Sequence, residues 1–197
     1  MRNLSKKAEM GMGTLIIFIA MILVAAIAAA VLISTTSSLQ NQALATGSAT
    51  EQEVGTSLNI VEIYGEDGET DNSLEGFGTV TRLAAGSEAI RFEDTLLTVT
   101  LNNASQDYDY NESLDCDDLS NMNATEGYGV EYNIEGPNSR EGYLTGGDVA
   151  TVCFGAPRAV EEGEDIRVSL IPRVGTPRTV DTNLPNLVLN LREQVFP

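Results

Sequence analysis

The sequence predicts an α+β protein in which one long hydrophobic N-terminal helix is followed by an antiparallel β-sandwich. Two observations lead to this prediction. Residues 15–33 read LIIFIAMILVAAIAAAVLI, without a charged, polar, Gly or Pro residue. From about residue 57 the sequence changes to short apolar or β-branched segments separated by Gly, Asn, Asp and Pro. The first pattern is typical of a helix inserted in a membrane, and the second is typical of antiparallel strands.

The apolar segment has the length of a membrane span. At 1.5 Å per residue it covers about 28 Å, close to the roughly 30 Å thickness of the hydrocarbon core. Arg2, Lys6 and Lys7 precede the segment, and no basic residue follows until Arg82. The positive-inside bias therefore predicts a cytoplasmic N-terminus and an external remainder. A secretory signal peptide cut near residues 28–30 is the alternative, although the apolar segment is long for one.

The helix is predicted to continue beyond the membrane. Residues 34–54 are polar but contain no Pro, and Gly47 is their only Gly, so one helix is expected from about Ala8 to Val54. A helix of about 70 Å exceeds twice the thickness of the bilayer. We therefore expect it to contact neighbouring proteins as well as lipid.

A run of small residues in the helix points to close packing. Ala25 with Ala29, and Ala26 with Ala30, have the spacing of small-xxx-small pairs, which allow helix backbones to approach each other. The alternative is that these alanines only favour helix formation.

The rest of the chain is predicted to form an immunoglobulin-like sandwich, since seven short strands in about 140 residues suit that architecture. The predicted strands are residues 58–64, 79–84, 95–101, 129–134, 149–154, 166–171 and 187–191. Between them, residues 102–126 are rich in Asp, Asn and Ser. This segment is expected to be a long exposed excursion outside the core.

Composition excludes several classes of function. Acidic residues outnumber basic ones 29 to 11, for a formal charge of -18, so the chain should be repelled by nucleic acid. The sequence contains no His, which removes the commonest general base, the usual nucleophile pairs and the commonest zinc ligand. We therefore predict neither an enzyme nor a bound cofactor.

The two cysteines, Cys116 and Cys153, are too far apart for a CxxC motif and too few for a metal cluster. A single disulfide is predicted if the compartment is oxidising, and two free thiols are the alternative. By chain-entropy arguments, closing a loop of about 38 residues would stabilise the fold by roughly 4 kcal/mol.

The excursion carries two further patterns. Asn103, Asn111 and Asn123 each begin an Asn-x-Ser/Thr triplet and are candidate glycosylation sites, with unmodified surface Asn as the alternative. Carboxylates in the same segment have roughly the spacing of an EF-hand loop, but Glu112 stands where that loop needs Gly. A solvated acidic loop is therefore favoured over a metal site. The weak candidate ligands are Asp107, Asp109, Asp115 and Asp118.

Residues 6–65 closely resemble the N-terminal region of archaellins, the flagellins of archaea. The resemblance lies in the dibasic pair Lys6-Lys7, the blocks GMGTLI at residues 11–16 and FIAM at 18–21, the run VAAIA at 24–28 and the exit ATG at 45–47. It covers about 60 residues, or about 30% of the chain.

The resemblance implies a precursor whose basic leader, residues 1–7, is removed by a prepilin-peptidase-like membrane enzyme. The cut would fall between Lys7 and Ala8, although Ala departs from the Gly that commonly follows it in the family. Residues 8–56 would then form a helix that leaves the membrane for a filament core, and residues 57–197 would form the extracellular sandwich.

The resemblance further implies a structural subunit of the archaeal flagellum that polymerises with itself, and possibly with other archaellins, for swimming motility. A membrane assembly platform and the N-glycosylation machinery are the other expected partners. An adhesive archaeal pilin and a membrane-anchored calcium- or sugar-binding ectodomain are the alternatives.

Overall fold

The computed structural model describes residues 2–67, 73–119, 122–184 and 192–197. The chain forms two compact units, Met1–Thr50 and Glu51–Pro197. One helix, α1 (Arg2–Gly55), accounts for the first unit and for the beginning of the second. Antiparallel sheets follow it, so the predicted fold class is confirmed.

Helix α1 is continuous over 54 residues. It contains no Pro, and hydroxyl groups within it bond to its own backbone, since Thr14 donates to the carbonyl of Gly11 and Thr50 to that of Thr46. It begins earlier than the predicted Ala8 and ends one residue after the predicted Val54. The sequence pattern therefore predicted the C-terminal end of the helix to within one residue.

The strands of the second unit form two main sheets. A five-stranded sheet has the order β11-β1-β2-β8-β6, a four-stranded sheet has the order β10-β9-β4-β5, and β3 pairs with β7. The strands are β1 (Leu58–Glu66), β2 (Leu74–Leu83), β3 (Ile90–Arg91), β4 (Thr95–Leu101), β5 (Ser105–Tyr108), β6 (Tyr128–Ile134), β7 (Tyr143–Leu144), β8 (Val149–Val160), β9 (Asp165–Pro172), β10 (Arg178–Asn183) and β11 (Arg192–Phe196).

The core lies between the two main sheets and is built around aromatic rings. The rings of Phe77 and Phe154 stack with centroids 5.9 Å apart, and Tyr108 packs against Phe154 at 5.7 Å. The hydroxyl of Tyr108 donates to the carbonyl of Gly155 at 2.6 Å. The hydroxyl of Tyr128 lies 2.8 Å from the carbonyl oxygen of Phe92. These buried hydroxyls therefore have hydrogen-bond partners, which avoids the cost of burying an unpaired polar group.

A buried carboxylate joins the ends of β6, β7 and β8. Asp148 accepts hydrogen bonds from the backbone N–H groups of Gly136 and Thr145, both at 2.7 Å, and from the Thr145 hydroxyl. Burial alone would raise the pKa of Asp148, but the hydrogen bonds outweigh it and lower the pKa below its usual value. The charged form of Asp148 therefore holds this loop in place.

Six of the seven predicted strands correspond to observed strands, and the predicted strand 187–191 lies outside the described residues. β4 has the predicted bounds, whereas β2 begins five residues early and β8 ends six residues late. The two-residue strands β3 and β7 were not predicted, and neither were β5, β10 and β11. The last three are edge strands. Their sequences, SQDY, RTVDTN and REQVF, contain few apolar residues, because each lies at the edge of its sheet.

The prediction for residues 102–126 was wrong in one respect, because the segment is not simply an exposed excursion. It contains β5, and its later part packs on the outer face of the five-stranded sheet, where Leu119 is buried. Glycines make room for it. A Cβ on Gly76 would lie 1.9 Å from the carbonyl oxygen of Leu119, and one on Gly155 would lie 2.3 Å from that of Met122. The segment therefore rests its backbone directly on the sheet.

The chain that leaves the helix is fixed to the sandwich by backbone and hydroxyl contacts. The backbone N–H of Ser57 donates to the hydroxyl of Ser87 at 3.0 Å, and the N–H of Thr176 donates to the carbonyl of Thr56 at 2.9 Å. Gly175, with φ of +117°, allows this approach, because a Cβ there would lie 2.7 Å from the same carbonyl oxygen.

We expect Gly76→Ala to destabilise the sandwich by about 1–3 kcal/mol. The added methyl group would overlap with the backbone of Leu119, which can move away only if the 111–126 segment moves off the sheet. Gly146→Ala is the matched control, since a Cβ there has no neighbour within 4 Å. Urea unfolding of the full chain in mild detergent measures both. Equal unfolding midpoints for the two variants would contradict the close contact.

Candidate functional site

The surface of helix α1 is the first candidate site. From Met12 to Val54, each large apolar side chain is at least 49% exposed. These side chains point in every direction around the helix, so each of its faces carries exposed apolar residues. The helix is also long and apolar enough to cross a membrane by length and composition. Such a surface needs lipid or other protein to cover it.

The predicted small-residue positions lie in the middle of this surface. Ala25, Ala26, Ala29 and Ala30 are all helical and exposed. Residues four apart lie on the same side of a helix, so Ala25 with Ala29 and Ala26 with Ala30 make a thin stretch where another backbone can come close. Lys7 and Ala8, the predicted cleavage site, lie near the beginning of the same helix.

The second candidate site is the disulfide between Cys116 and Cys153, whose Cα atoms are 5.7 Å apart. It ties the 111–126 segment to the middle of β8. Leu119 and both cysteines form a small buried cluster on the outer face of the sheet, bordered by Tyr64. Burial raises the pKa of Tyr64, although Arg192, 4.4 Å above its ring, acts against the rise. Tyr64 therefore stays neutral and contributes to packing.

The three candidate glycosylation sites differ in their surroundings. Asn103 is exposed and accepts a hydrogen bond from Arg158 through its amide oxygen. Asn123 is exposed, and its amide nitrogen donates to the Glu126 carboxylate at 3.1 Å. Asn111 is half-buried, and its amide nitrogen donates to the carbonyl of Glu126 at 2.8 Å. Asn111 thus joins the two ends of the 111–126 segment, whereas Asn103 and Asn123 are exposed.

The acidic candidates do not form a cation site. Asp107 lies on β5, where its carboxylate accepts a hydrogen bond from Thr98 at 2.7 Å, and Asp115 accepts one from the backbone N–H of Asp117. A strand at this position is incompatible with a twelve-residue calcium loop, which must curl around its ion. Within the described parts of the chain, Asp109, Asp118 and the other carboxylates form no group of three that could hold a metal.

Comparison with known proteins identifies the family. Residues 8–182 match the sequence model of the archaeal-type flagellins. This chain is an archaeal-type flagellin. Flagellin B1 of Methanocaldococcus jannaschii is 30% identical over 198 residues, covering 91% of each chain. Flagellin B1 of Thermoplasma volcanium is 36% identical over 138 residues, which are 68% of this flagellin but 55% of that relative.

Solved structures have the same fold. A structure of the archaeal flagellum of Methanospirillum hungatei aligns with a TM-score of 0.69 at 16% identity, covering 95% of this flagellin and 99% of that chain. A crystal structure of a flagellin from Methanocaldococcus jannaschii aligns with a TM-score of 0.63 at 18% identity, covering 72% and 97%. The alignment with the flagellum structure, which covers 95% of this flagellin, therefore extends over both the long helix and the sandwich.

Removing the disulfide with Cys116→Ala and Cys153→Ala should lower the free energy of unfolding by about 2–4 kcal/mol, since the unfolded chain gains freedom. The 111–126 segment should also become sensitive to protease. Urea unfolding and limited proteolysis of the full chain measure the two effects. As a control, a reductant should destabilise the parent chain but not the double variant. Equal protease resistance with and without the bond would contradict its role in holding the segment.

Proposed function

We propose that this flagellin is a structural subunit of the archaeal flagellum and that it polymerises with copies of itself through helix α1, with no catalytic role. The observation that carries this proposal is the helix, whose apolar side chains are exposed on all sides. Each such side chain contributes about 1.5–3 kcal/mol when it is removed from water. Together they make an isolated helix in water strongly unfavourable.

Two environments can cover this helix in turn. In a bilayer, lipid contacts the apolar residues, so pairing of helices gains little hydrophobic energy there. Outside the membrane, a bundle of like helices covers the same residues, and dissociation into water is then strongly opposed. Transfer between two favourable environments needs a driving step, which supports an energised assembly platform in the membrane as a partner.

The remainder of the chain is suited to an external surface. The disulfide requires an oxidising compartment, and residues 57–197 follow a helix whose basic flank is N-terminal. We infer that the precursor lies in the cell membrane with this part outside, and that in the filament residues 57–197 form the outer layer around a core of residues 8–56. The acidic sandwich would then face the medium.

The proposal includes removal of residues 1–7 by a prepilin-peptidase-like enzyme. Two features support it. The basic residues of the helical region, Arg2, Lys6 and Lys7, all lie before the proposed cut, and the family match begins at residue 8. Removal of these three basic side chains leaves the new α-amino group of Ala8 as the one cation that the helix would carry into an apolar bundle.

The leader prediction is tested by the mass of the protein recovered in sheared surface filaments. We expect an N-terminus at Ala8 in the mature subunit. A Lys7→Ala precursor, which lacks the second basic residue beside the cut, should accumulate uncleaved in the membrane fraction. Filament protein that retains Met1 would exclude the cut.

We expect N-glycosylation at one or more of Asn103, Asn111 and Asn123, which would bring in the glycosylation machinery as a partner. Asn103 is the best acceptor sterically, since it is exposed and its only described side-chain hydrogen bond uses the amide oxygen. Mass spectrometry of peptides from filament protein measures occupancy at each site, with Asn103→Gln as the control. Unmodified peptides at all three sites would contradict this expectation.

Replacing Ala26 and Ala30 with Phe should abolish filaments while leaving the subunit in the membrane. Phe is favourable in the middle of a spanning helix, so insertion and cleavage at Lys7 should continue. The larger side chains should separate neighbouring helices, at about 1–3 kcal/mol per site in every subunit. A strain that expresses only the variant is scored for cleaved protein in membranes and for filaments by electron microscopy.

The matched control is Leu23→Phe with Ile27→Phe, which also introduces two rings into the same helical segment but replaces side chains that are already large. It should retain filaments. Normal filaments from the Ala26→Phe and Ala30→Phe variant would show that these alanines do not lie at a close helix contact.

A further inference from the structure

The outer face of the four-stranded sheet is a second uncovered surface, distinct from the helix. Strand pairing places Leu96 beside Ile171, and it places Ser169 between Thr98 and Thr179 in the next row. The following row includes Thr100, whose hydroxyl is 3.1 Å from that of Ser105. We call this surface the hydroxyl face. It consists of Leu96, Thr98, Thr100, Ser169, Ile171 and Thr179.

At the centre of the hydroxyl face, Ser169 lies between Thr98 and Thr179, but the same rows also hold charged residues. Asp107 lies beside Thr98, and Arg167 lies between Thr100 and Asp181. These charged side chains are engaged within the sheet. Asp107 accepts a hydrogen bond from Thr98, and Asp181 forms an ion pair with Arg167. The hydroxyls of Ser169 and Thr179 are 3.0 Å apart and bond to each other. If another protein surface covered this face, few of its polar groups would be left without a hydrogen-bond partner.

The two sheets differ in what lies on their outer faces. The five-stranded sheet is covered by the 111–126 segment, which bears Glu112, Asp115, Asp117, Asp118 and Glu126. On the hydroxyl face, by contrast, every one of the six residues is exposed or half-buried, and Ile171 is 39% exposed. Two copies that meet through their acidic segments would repel each other. Contact through the hydroxyl face brings fewer carboxylates together and so reduces that repulsion.

We propose that the hydroxyl face is a contact surface between the sandwich and the sandwich of a second copy of the chain. This inference rests on the proposed function, which brings many copies together. With strands about 4.8 Å apart and a repeat of about 6.8 Å between rows, the face measures on the order of 300 Å². That area is about a third of what a stable independent interface buries on each partner. The contact forms only when the helices already hold neighbouring copies together.

The contact is tested by thiol labelling of Thr179→Cys, at the centre of the face. Labelling by a small maleimide is measured in detergent-extracted subunits, in membranes and in sheared filaments. Glu131→Cys, exposed on β6 of the other sheet, is the matched control. Peptide mapping confirms that Cys116 and Cys153 remain joined in both variants. We expect labelling of Thr179→Cys to be about tenfold slower in filaments than in detergent, and that of Glu131→Cys to change by less than about twofold.

Equal labelling of Thr179→Cys in filaments and in detergent overturns the proposal. Slow labelling in membranes that becomes fast in filaments also overturns it, because the face then lies against lipid. If the parent chain forms no filaments at all, both the proposed function and this inference are wrong. Filaments in which Thr179→Cys is freely labelled would contradict only this inference.

A second pair of variants tests the apolar row independently. Ile171→Glu should cause loss of filaments or of their stability to heating, because it places a carboxylate in the contact. Ile134→Glu is the control, since Ile134 is 58% exposed and lies on the other sheet. Proteolysis of the membrane-embedded precursors checks that both sandwiches are folded. Stable filaments from Ile171→Glu, or equal loss with Ile134→Glu, would overturn the proposal.

Discussion

Covering a helix whose apolar side chains are exposed is the constraint on which the rest of this protein depends. Helix α1 continues for 54 residues without a break, and its large side chains are exposed on every side. Such a helix is compatible with lipid or with a bundle of like helices but not with water. In the proposed function the subunit moves from the membrane, where lipid covers the helix, to the filament, where neighbouring helices cover it.

The sandwich meets the opposite requirement, because it must remain folded in the external medium while neighbouring copies crowd it. Its two sheets share one aromatic core, and the 111–126 segment is held on the outer face of one sheet by glycines and a disulfide. That arrangement places many carboxylates on one side of the sandwich. On the other side, hydroxyl and apolar side chains lie beside one ion pair, between Arg167 and Asp181, and the carboxylate of Asp107. The sandwich is thus asymmetric in charge.

The sequence predicted the elements with a strong local pattern and missed those without one. Residues 97–101 alternate between apolar and polar types, and the strand 95–101 has its predicted bounds. β10 has a single buried apolar residue, Val180, and its partner β9 supplies the hydrogen bonds that make it a strand. The 111–126 segment looked exposed because it is polar. Its contact with the sheet depends on Gly76, Gly129 and Gly155, which lie on other strands and give no local signal.

The sequence by itself determined the long apolar helix, the change to strands, the acidic surface and the family resemblance, because each depends on residue type and spacing along the chain. The tertiary structure alone decided which sheet face is covered, which Asn side chains are engaged, and that Asp107 belongs to a strand. Those outcomes depend on distances between segments that are remote in sequence. Asn103 and Arg158, for example, are 55 residues apart yet share a hydrogen bond. Pairing of this kind is set by strand register and by the space that small residues leave, and neither can be read from one segment alone.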